Sequence, residues 1–231
     1  MKAIILAGGL GTRLGDLLGS FPKPMAPVNG KPFLEILIIM LKRWSIGEII
    51  LSVGHRSEVI EGYFGTGKDC GIKITYSRER EPLGTGGAIA AAMKMHEDDR
   101  YLVMNGDSYF DLDFDSLRNF HELKAARATL ALTWMKDAGR YGRVDVNERD
   151  EITGFREKQD AGEGCINGGV YILANSVSSI IPPGQVSFER EVLPELIGKG
   201  LYGSARNGFF MDIGIAEDYR TFCKLFHDAS T

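Results

Sequence analysis

Apolar positions in the first half of the chain come as short solid runs separated by longer stretches with helical spacing. Lys2-Ala3-Ile4-Ile5-Leu6-Ala7 is the first run, and its lack of alternation marks a strand covered on both faces. Glu48 to Val53 and Tyr101 to Met104 read the same way, and Lys73 to Ser77 alternates as a further strand. Between them, Phe33 to Trp44, Ser57 to Phe64 and Ala88 to Met95 read as helices. Pro32 suits the first position of the first helix, Gly47 stops it, and Ser57 is expected to cap the second. Phe114 to Ala126 is again helical.

Strands then dominate: Thr129 to Trp134, Arg143 to Val146, Ile152 to Arg156 and Ile166 to Leu173. Asn175 to Ile181 and Phe188 to Ile197 read as helices on either side of Pro182-Pro183-Gly184. Phe209 to Ile213 is a last strand and Ala216 to Phe226 a closing helix. Strand–helix alternation predicts a parallel sheet with helices on both faces, to which the second half adds antiparallel strands. No repeat or composition shift marks a linker. The expectation is one α/β, Rossmann-like three-layer domain over residues 1–231 with a mixed central sheet.

Composition narrows the classes of function. Hydrophobic content of 44% with 25% charged residues is ordinary for a soluble globular protein. A net charge of -4 without a basic stripe argues against nucleic acid. The apolar run from Phe33 to Met40 is punctuated by Lys31, Glu35 and Lys42, so no membrane span is expected, and the N-terminus lacks a signal-peptide pattern. Cys70, Cys165 and Cys223 are an odd, scattered set, as expected of reduced thiols in a cytoplasm. His55, His96, His121 and His227 form no metal pair and are expected to be solvated or locally bonded, and no GxSxG elbow is present.

The candidate chemistry lies at strand ends, where open α/β sheets bind ligands. After the first strand, Gly8, Gly9 and Gly11 strip the backbone of side chains, so its N–H groups can close on a phosphate chain, and Arg13 adds a fixed cation. The stretch is not a dinucleotide fingerprint, whose third glycine would fall on Leu14, nor a Walker loop, since no Gly-Lys here is followed by Ser or Thr. Glycines alone read more simply as a turn after the strand. A second glycine loop, Glu79-Arg80-Glu81-Pro82-Leu83-Gly84-Thr85-Gly86-Gly87, precedes the alanine-rich helix. Asn105-Gly106-Asp107 ends another strand, and Asp212 ends the last one. Mg²⁺ takes one or two carboxylates plus phosphate oxygens, although either aspartate alone reads more simply as a cap or turn former. Asp111, Asp113 and Asp115 lack the remaining ligands of a calcium loop and read as turn and cap residues.

Taken in order, these motifs resemble the sugar-1-phosphate nucleotidyltransferases. Leu6-Ala7-Gly8-Gly9-Leu10-Gly11-Thr12-Arg13-Leu14 with Pro22-Lys23-Pro24 matches the family signature GGxGTRL…PKP. Glu81 to Gly87 matches its base-binding loop and Asn105-Gly106-Asp107 its metal motif. Glu157-Lys158 matches its sugar-phosphate lysine, Asn167-Gly168-Gly169 its sugar-binding turn, and Met211-Asp212-Ile213-Gly214 its second metal aspartate. Gln159 departs from the proline that commonly follows Glu-Lys, and Phe210-Met211 stands where many members have two tryptophans. The left-handed β-helix of longer members is not expected here, which leaves one activity.

The resemblance implies a GT-A-like nucleotidyltransferase fold, a nucleoside triphosphate and a sugar 1-phosphate as partners, and Mg²⁺ as cofactor. It implies nucleotide contacts from Leu6, Ala7, Gly8, Gly9, Gly11, Thr12, Arg13, Glu81, Pro82, Gly84, Thr85, Asn105 and Gly106. Gly142, Glu157, Lys158, Asn167 and Gly168 would hold the sugar phosphate, Asp107 and Asp212 the metal. Arg13 would meet the outer phosphates and Lys23 the charge developing around the α-phosphate. Many relatives are oligomers, so the resemblance leaves a homo-oligomer open, while the sequence itself does not give the oligomeric state.

Within the family, Lys23 to Val28 and Pro82 to Ile89 are worded most like the guanylyltransferases that act on D-glycero-α-D-manno-heptose 1-phosphate, which use GTP and make GDP-heptose for cell-surface polysaccharide. Uridylyltransferases for N-acetylmuramate 1-phosphate and mannose-1-phosphate guanylyltransferases are alternatives. Two other classes stay open, a metal-dependent glycosyltransferase on a related fold and an inactive nucleotide-sugar-binding regulator.

Overall fold

The solid apolar runs pair side by side. In a computed structural model that describes residues 1–9, 21–156 and 162–228, β1 (Lys2–Leu6) lies between β4 (Glu48–Val53) and β6 (Arg100–Asn105), parallel to both. Its register runs from Lys2 opposite Tyr101 to Leu6 opposite Asn105, which brings these strand ends to one edge. β5 (Lys73–Arg78) extends the sheet beyond β4, again in parallel. On the other side come β11 (Gly164–Ala174), β8 (Ala128–Met135) and β12 (Leu201–Ala205), giving the order β12-β8-β11-β6-β1-β4-β5.

Only β11 runs against its neighbours in this sheet. The other antiparallel strands expected in the second half form separate pairs, β9 (Arg143–Val146) with β10 (Ile152–Arg156), and β7 (Ser108–Leu112) with β13 (Gly208–Asp212). A pair β2 (Pro27–Val28) and β3 (Lys31–Pro32) leads into the first helix.

Alternate residues of each central strand serve opposite cores. Ala3, Ile5, Leu51 and Val53 face one, covered by helices α1 (Phe33–Arg43), α2 (Ser57–Phe64), α4 (Phe114–Leu123) and α5 (Ala216–Asp228). Ile4, Ile50, Tyr101 and Val103 face the other, under α3 (Gly84–Met95) and the segment from Asn175 to Leu196. Burying each such side chain contributes about 1.5–3 kcal/mol, which is why period-2 strands need both layers. The expected three-layer α/β arrangement with a mixed sheet is thus the observed one.

Several local expectations are corrected. Arg56, in the left-handed region, precedes α2 without a side-chain cap, and Ser57 is the first helical residue rather than the cap. α3 begins at Gly84 instead of Ala88, so the second glycine run is helical. Asn175–Ile180 is a 3-10 turn, and Phe188–Val192 is a π turn followed by a single α turn, because Pro194 cannot donate into a regular helix. Asp111 lies in β7, opposite Phe209, whereas Asp113 does cap α4 by accepting from Ser116 N at 3.1 Å. β12 has no counterpart among the expected strands, since Gly203 and Ser204 interrupt its apolar pattern. No helix among the described residues is long and apolar enough to cross a membrane.

Candidate active site

The carboxyl ends of β1, β4, β5 and β6 open into one cavity of about 630 Å³. Leu6, Gly8 and Gly9 line it beyond β1, Gly54 and His55 beyond β4, Glu79 to Pro82 beyond β5, and Asn105 to Asp107 beyond β6. Gly84, Thr85 and Ala88 of α3 and the loop residue Gln185 close one side. Ala7 is buried and donates its N–H to Ser52 O at 2.8 Å, anchoring the start of the glycine stretch to β4. Leu10, Gly11, Thr12, Arg13 and Leu14 lie outside the described residues, as do Glu157 and Lys158. His55, which spacing left as a solvated or locally bonded residue, is part of the lining.

Of the two glutamates before the second glycine run, Glu79 is anchored and Glu81 is exposed at the rim. Glu79 Oε1 accepts from Ser52 Oγ at 3.1 Å and Oε2 from Leu83 N at 3.0 Å. Both oxygens are thus held, on a residue that lines the cavity. The carboxylate fits there because residue 8 is glycine: a Cβ at Gly8 would lie 2.7 Å from Glu79 Oε1.

Across the cavity stands a lysine between two carboxylates. Pro22 and Pro24 restrict the backbone around Lys23, which starts a 3-10 turn closed by Met25 N to Pro22 O at 2.8 Å. Pro24 and Met25 are buried, so the turn is packed in place. Lys23 Nζ lies 2.5 Å from Asp107 Oδ2 and 4.0 Å from Asp212 Oδ1. Pairing of β7 with β13 sets Asp212 beside Ser108, and Ile213 N donates to Asp107 O at 2.9 Å, so residues 107 and 212 are neighbours. Burial holds the Asp212 carboxyl above the ordinary range, Asp107 pushes it further up, and Lys23 pulls it down. Two crowded carboxylates, one at the cavity wall, are a donor set that a hard divalent cation takes together with phosphate oxygens.

The glycines of α3 serve packing. Gly84 has φ +67°, and a Cβ there would sit 2.4 Å from Val186 O, so this turn presses directly on the 184–188 segment. That contact brings Thr85 to Glu189, with Oγ1 donating to Oε2 at 2.6 Å and accepting from Phe188 N at 2.8 Å. Asn167-Gly168-Gly169, expected as a turn, is instead an irregularity inside β11, where the register with β8 shifts between Asn167 and Tyr171. Asn167 Oδ1 accepts from Gly169 N at 3.0 Å and its Nδ2 donates to Tyr171 OH at 2.8 Å. Gly168 is buried against Phe110. Gly142, whose N donates to Ala138 O at 3.0 Å, and Asn167 lie outside the cavity lining. Among the described residues, Leu6, Gly8, Gly9, Lys23, Glu81, Pro82, Gly84, Thr85, Asn105, Gly106 and Asp107 of the expected set line the cavity.

Spacing did not single out Gln185, Tyr171 or Glu189. Gln185 follows a Pro-Pro-Gly loop, Tyr171 sits in an apolar strand, and Glu189 reads as a helix surface charge. Only tertiary contacts bring them here.

Residues 2–228 match the family of nucleotidyl transferases. The chain belongs to that family. Full-length relatives of this nucleotidyl transferase include a D-glycero-alpha-D-manno-heptose 1-phosphate guanylyltransferase of Campylobacter jejuni, 45% identical over 226 residues, covering 96% of this chain and 98% of the relative. One of the same name from Aneurinibacillus thermoaerophilus is 42% identical over 222 residues, covering 95% and 96%. The crystal structure of HddC from Yersinia pseudotuberculosis superposes with a TM-score of 0.87 at 35% identity, over 97% of this chain and 99% of that one. The same protein has been crystallised complexed with GMP-PN, and that structure superposes equally well.

Proposed function

We propose that this nucleotidyl transferase moves GMP from GTP to D-glycero-α-D-manno-heptose 1-phosphate, giving GDP-heptose and pyrophosphate for cell-surface polysaccharide. The observation that carries the reading is Lys23 wedged between Asp107 and Asp212 at the mouth of a strand-end cavity. The names of the two relatives above support the choice of base and sugar.

The acceptor phosphate is already ionised near neutral pH, its second pKa being about 6, so no general base is needed. The protein has to align that oxygen with the α-phosphorus and offset charge. Lys23 would lie against the α-phosphate, and Arg13 against the outer phosphates that leave. Asp107 and Asp212 would hold Mg²⁺, which when bound supplies charge neutralisation at the phosphates. Guanine presents adjacent N1–H and N2–H₂ donors, and the anchored Glu79 carboxylate is the acceptor suited to them. Glu81, Pro82, Gly84 and Thr85 would frame the base, and Leu6 to Gly9 with Gly11, Thr12, Asn105 and Gly106 the rest of the nucleotide. Gly142, Glu157, Lys158, Asn167 and Gly168 would receive the sugar phosphate. A cytoplasmic setting, in which Cys70, Cys165 and Cys223 stay free, goes with this chemistry.

The test is a panel of four nucleoside triphosphates against heptose, mannose, N-acetylmuramate and N-acetylglucosamine 1-phosphates, read by pyrophosphate release. Highest kcat/KM for GTP with the heptose phosphate is expected. Preference for UTP would overturn the base assignment, and preference for another sugar the acceptor assignment.

A further inference from the structure

β4 carries one polar residue in an otherwise apolar run, at the end that opens into the cavity. Ser52 follows Ile49, Ile50 and Leu51, precedes Val53, and is as completely buried as they are. A hydroxyl withdrawn from water is unfavourable unless it is hydrogen-bonded, so a serine at this position requires a partner. Its register sets it between Leu6 of β1 and Ser77 of β5. The partner lies just beyond β5, where Glu79 Oε1 accepts from Ser52 Oγ at 3.1 Å. Glu79 N donates to Val53 O at 2.8 Å. Two consecutive residues of β4 thus hold the side chain and the main chain of one glutamate.

The other oxygen is held from a different direction. Leu83 N donates to Glu79 Oε2 at 3.0 Å, which closes the 79–83 loop onto the carboxylate. Both donors are neutral, a hydroxyl and a backbone amide, so they fix the group without cancelling its charge. A carboxylate can take about four hydrogen bonds, and two donors do not exhaust it. Holding a long, rotamer-rich side chain in advance also removes the ordering cost that a mobile glutamate would meet at each binding event.

We propose that Ser52 is a positioning residue for base recognition, which acts through Glu79 by holding the carboxylate where it accepts from guanine N1–H and N2–H₂ together. The inference rests on the assignment of Glu79 to guanine above and adds the buried group that makes a two-donor reading possible. Without the Ser52 hydroxyl, Oε1 loses its anchor while Oε2 keeps Leu83 N. The carboxylate can then turn about the hydrogen bond that remains, so it meets one donor of the base and misses the second.

The experiment measures kcat/KM of the full-length protein for GTP and for ITP, with Mg²⁺ and saturating D-glycero-α-D-manno-heptose 1-phosphate. ITP lacks only the 2-amino group, so effects on the ribose and phosphates cancel in the GTP:ITP ratio. Wild type should prefer GTP by about tenfold or more, as expected for one hydrogen bond to a charged acceptor. Ser52→Ala should bring the ratio below about threefold, and Glu79→Gln to near one. Because Ser52 acts through Glu79, the double variant should fall no lower than Glu79→Gln alone. Ser77→Ala, at the neighbouring buried position of β5, should keep the wild-type ratio. A merely structural role would lower the thermal midpoint and the rates with both nucleotides while preserving the ratio. Ser52→Cys keeps a weaker donor and should give an intermediate ratio, and it decides alone should Ser52→Ala fail to fold. An unchanged ratio in folded Ser52→Ala beside a lowered one in Glu79→Gln overturns the proposal by itself. So does a further fall in the double variant, or an equal fall in Ser77→Ala. A wild-type ratio near one, or a ratio unchanged in Glu79→Gln, overturns the base assignment beneath it and the proposal with it.

Discussion

Replacing Lys23 by Ala tests the charge arrangement, because the two consequences of losing this ammonium differ in size. In turnover, removing a group that stabilises developing charge costs about 3–4 kcal/mol, or two to three orders of magnitude in rate. In stability the loss is far smaller. A 4.0 Å charge pair such as Lys23–Asp212 would be worth ~4 kcal/mol at an effective dielectric near 20. Water reaches the site, however, with the Asp107 side chain 38% exposed and that of Asp212 26%. The net contribution should therefore be near ~1 kcal/mol, which for a chain of this size lowers the thermal midpoint by about 2–4 °C.

The same substitution removes the charge that pulls Asp212 down, leaving burial and Asp107 to push it up unopposed. Asp212 would then keep its proton to higher pH, and the pH at which metal activates the variant should move upward. Pyrophosphate release at saturating substrate, with a parallel melting curve and a pH series, reads all three. A folded variant within fivefold of wild-type turnover would refute the role of Lys23. A drop of tens of degrees with turnover retained at low temperature would make it structural.

Asp107→Asn and Asp212→Asn should each raise the Mg²⁺ concentration needed for activity, and the double variant should lose less than the sum, since ligands of one ion act as a unit. Additive losses would mean that only one of them binds metal. Glu79→Gln should lower the GTP:UTP preference roughly tenfold, given ~1.5–3 kcal/mol for a bond to a charged acceptor, with the Mg²⁺ requirement unchanged. Glu81→Gln, at the exposed rim, should leave the ratio alone, and the opposite pattern would move base reading to Glu81. His121, buried with Nδ1 2.8 Å from Thr129 Oγ1, is held down to about 4 by burial from an ordinary 6.5. The unfolded chain binds more protons between those values, so stability is complete above 6.5 and falls as pH drops toward 4, by roughly 3 kcal/mol in all. Urea unfolding from pH 7 to 4.5 should show a shallower loss in His121→Gln than in wild type, and equal slopes would clear His121 of the effect.

How legible each part was depended on whether its signal is local. Glu48–Val53 and Arg143–Val146 were readable to the residue, because burial on the strand's faces is written directly into its apolar pattern. β12 was not, since a strand with Gly203 and Ser204 gains its place only from packing against β8. The glycines at 84, 86 and 87 announced a special backbone but not its reason, which is contact with the 184–186 segment a hundred positions away. At the candidate site, Lys23 between prolines and the strand-end Asp107 stood out as oddities of composition. Tyr171 and Glu189 could not, because a tyrosine in an apolar run reads as core and a glutamate on an amphipathic turn reads as surface. Their hydrogen bonds to Asn167 and Thr85 exist only in the folded chain.

The central claim concerns which phosphorus atom is attacked, and isotopic labelling follows it directly. Wild-type protein would be incubated with Mg²⁺, D-glycero-α-D-manno-heptose 1-phosphate and GTP labelled with ³²P at either the α or the γ position. Nucleotidyl transfer predicts that the α label enters the nucleotide sugar and the γ label leaves in pyrophosphate, in equal amounts. Recovery of the γ label on the sugar, or release of GDP in place of pyrophosphate, would contradict it.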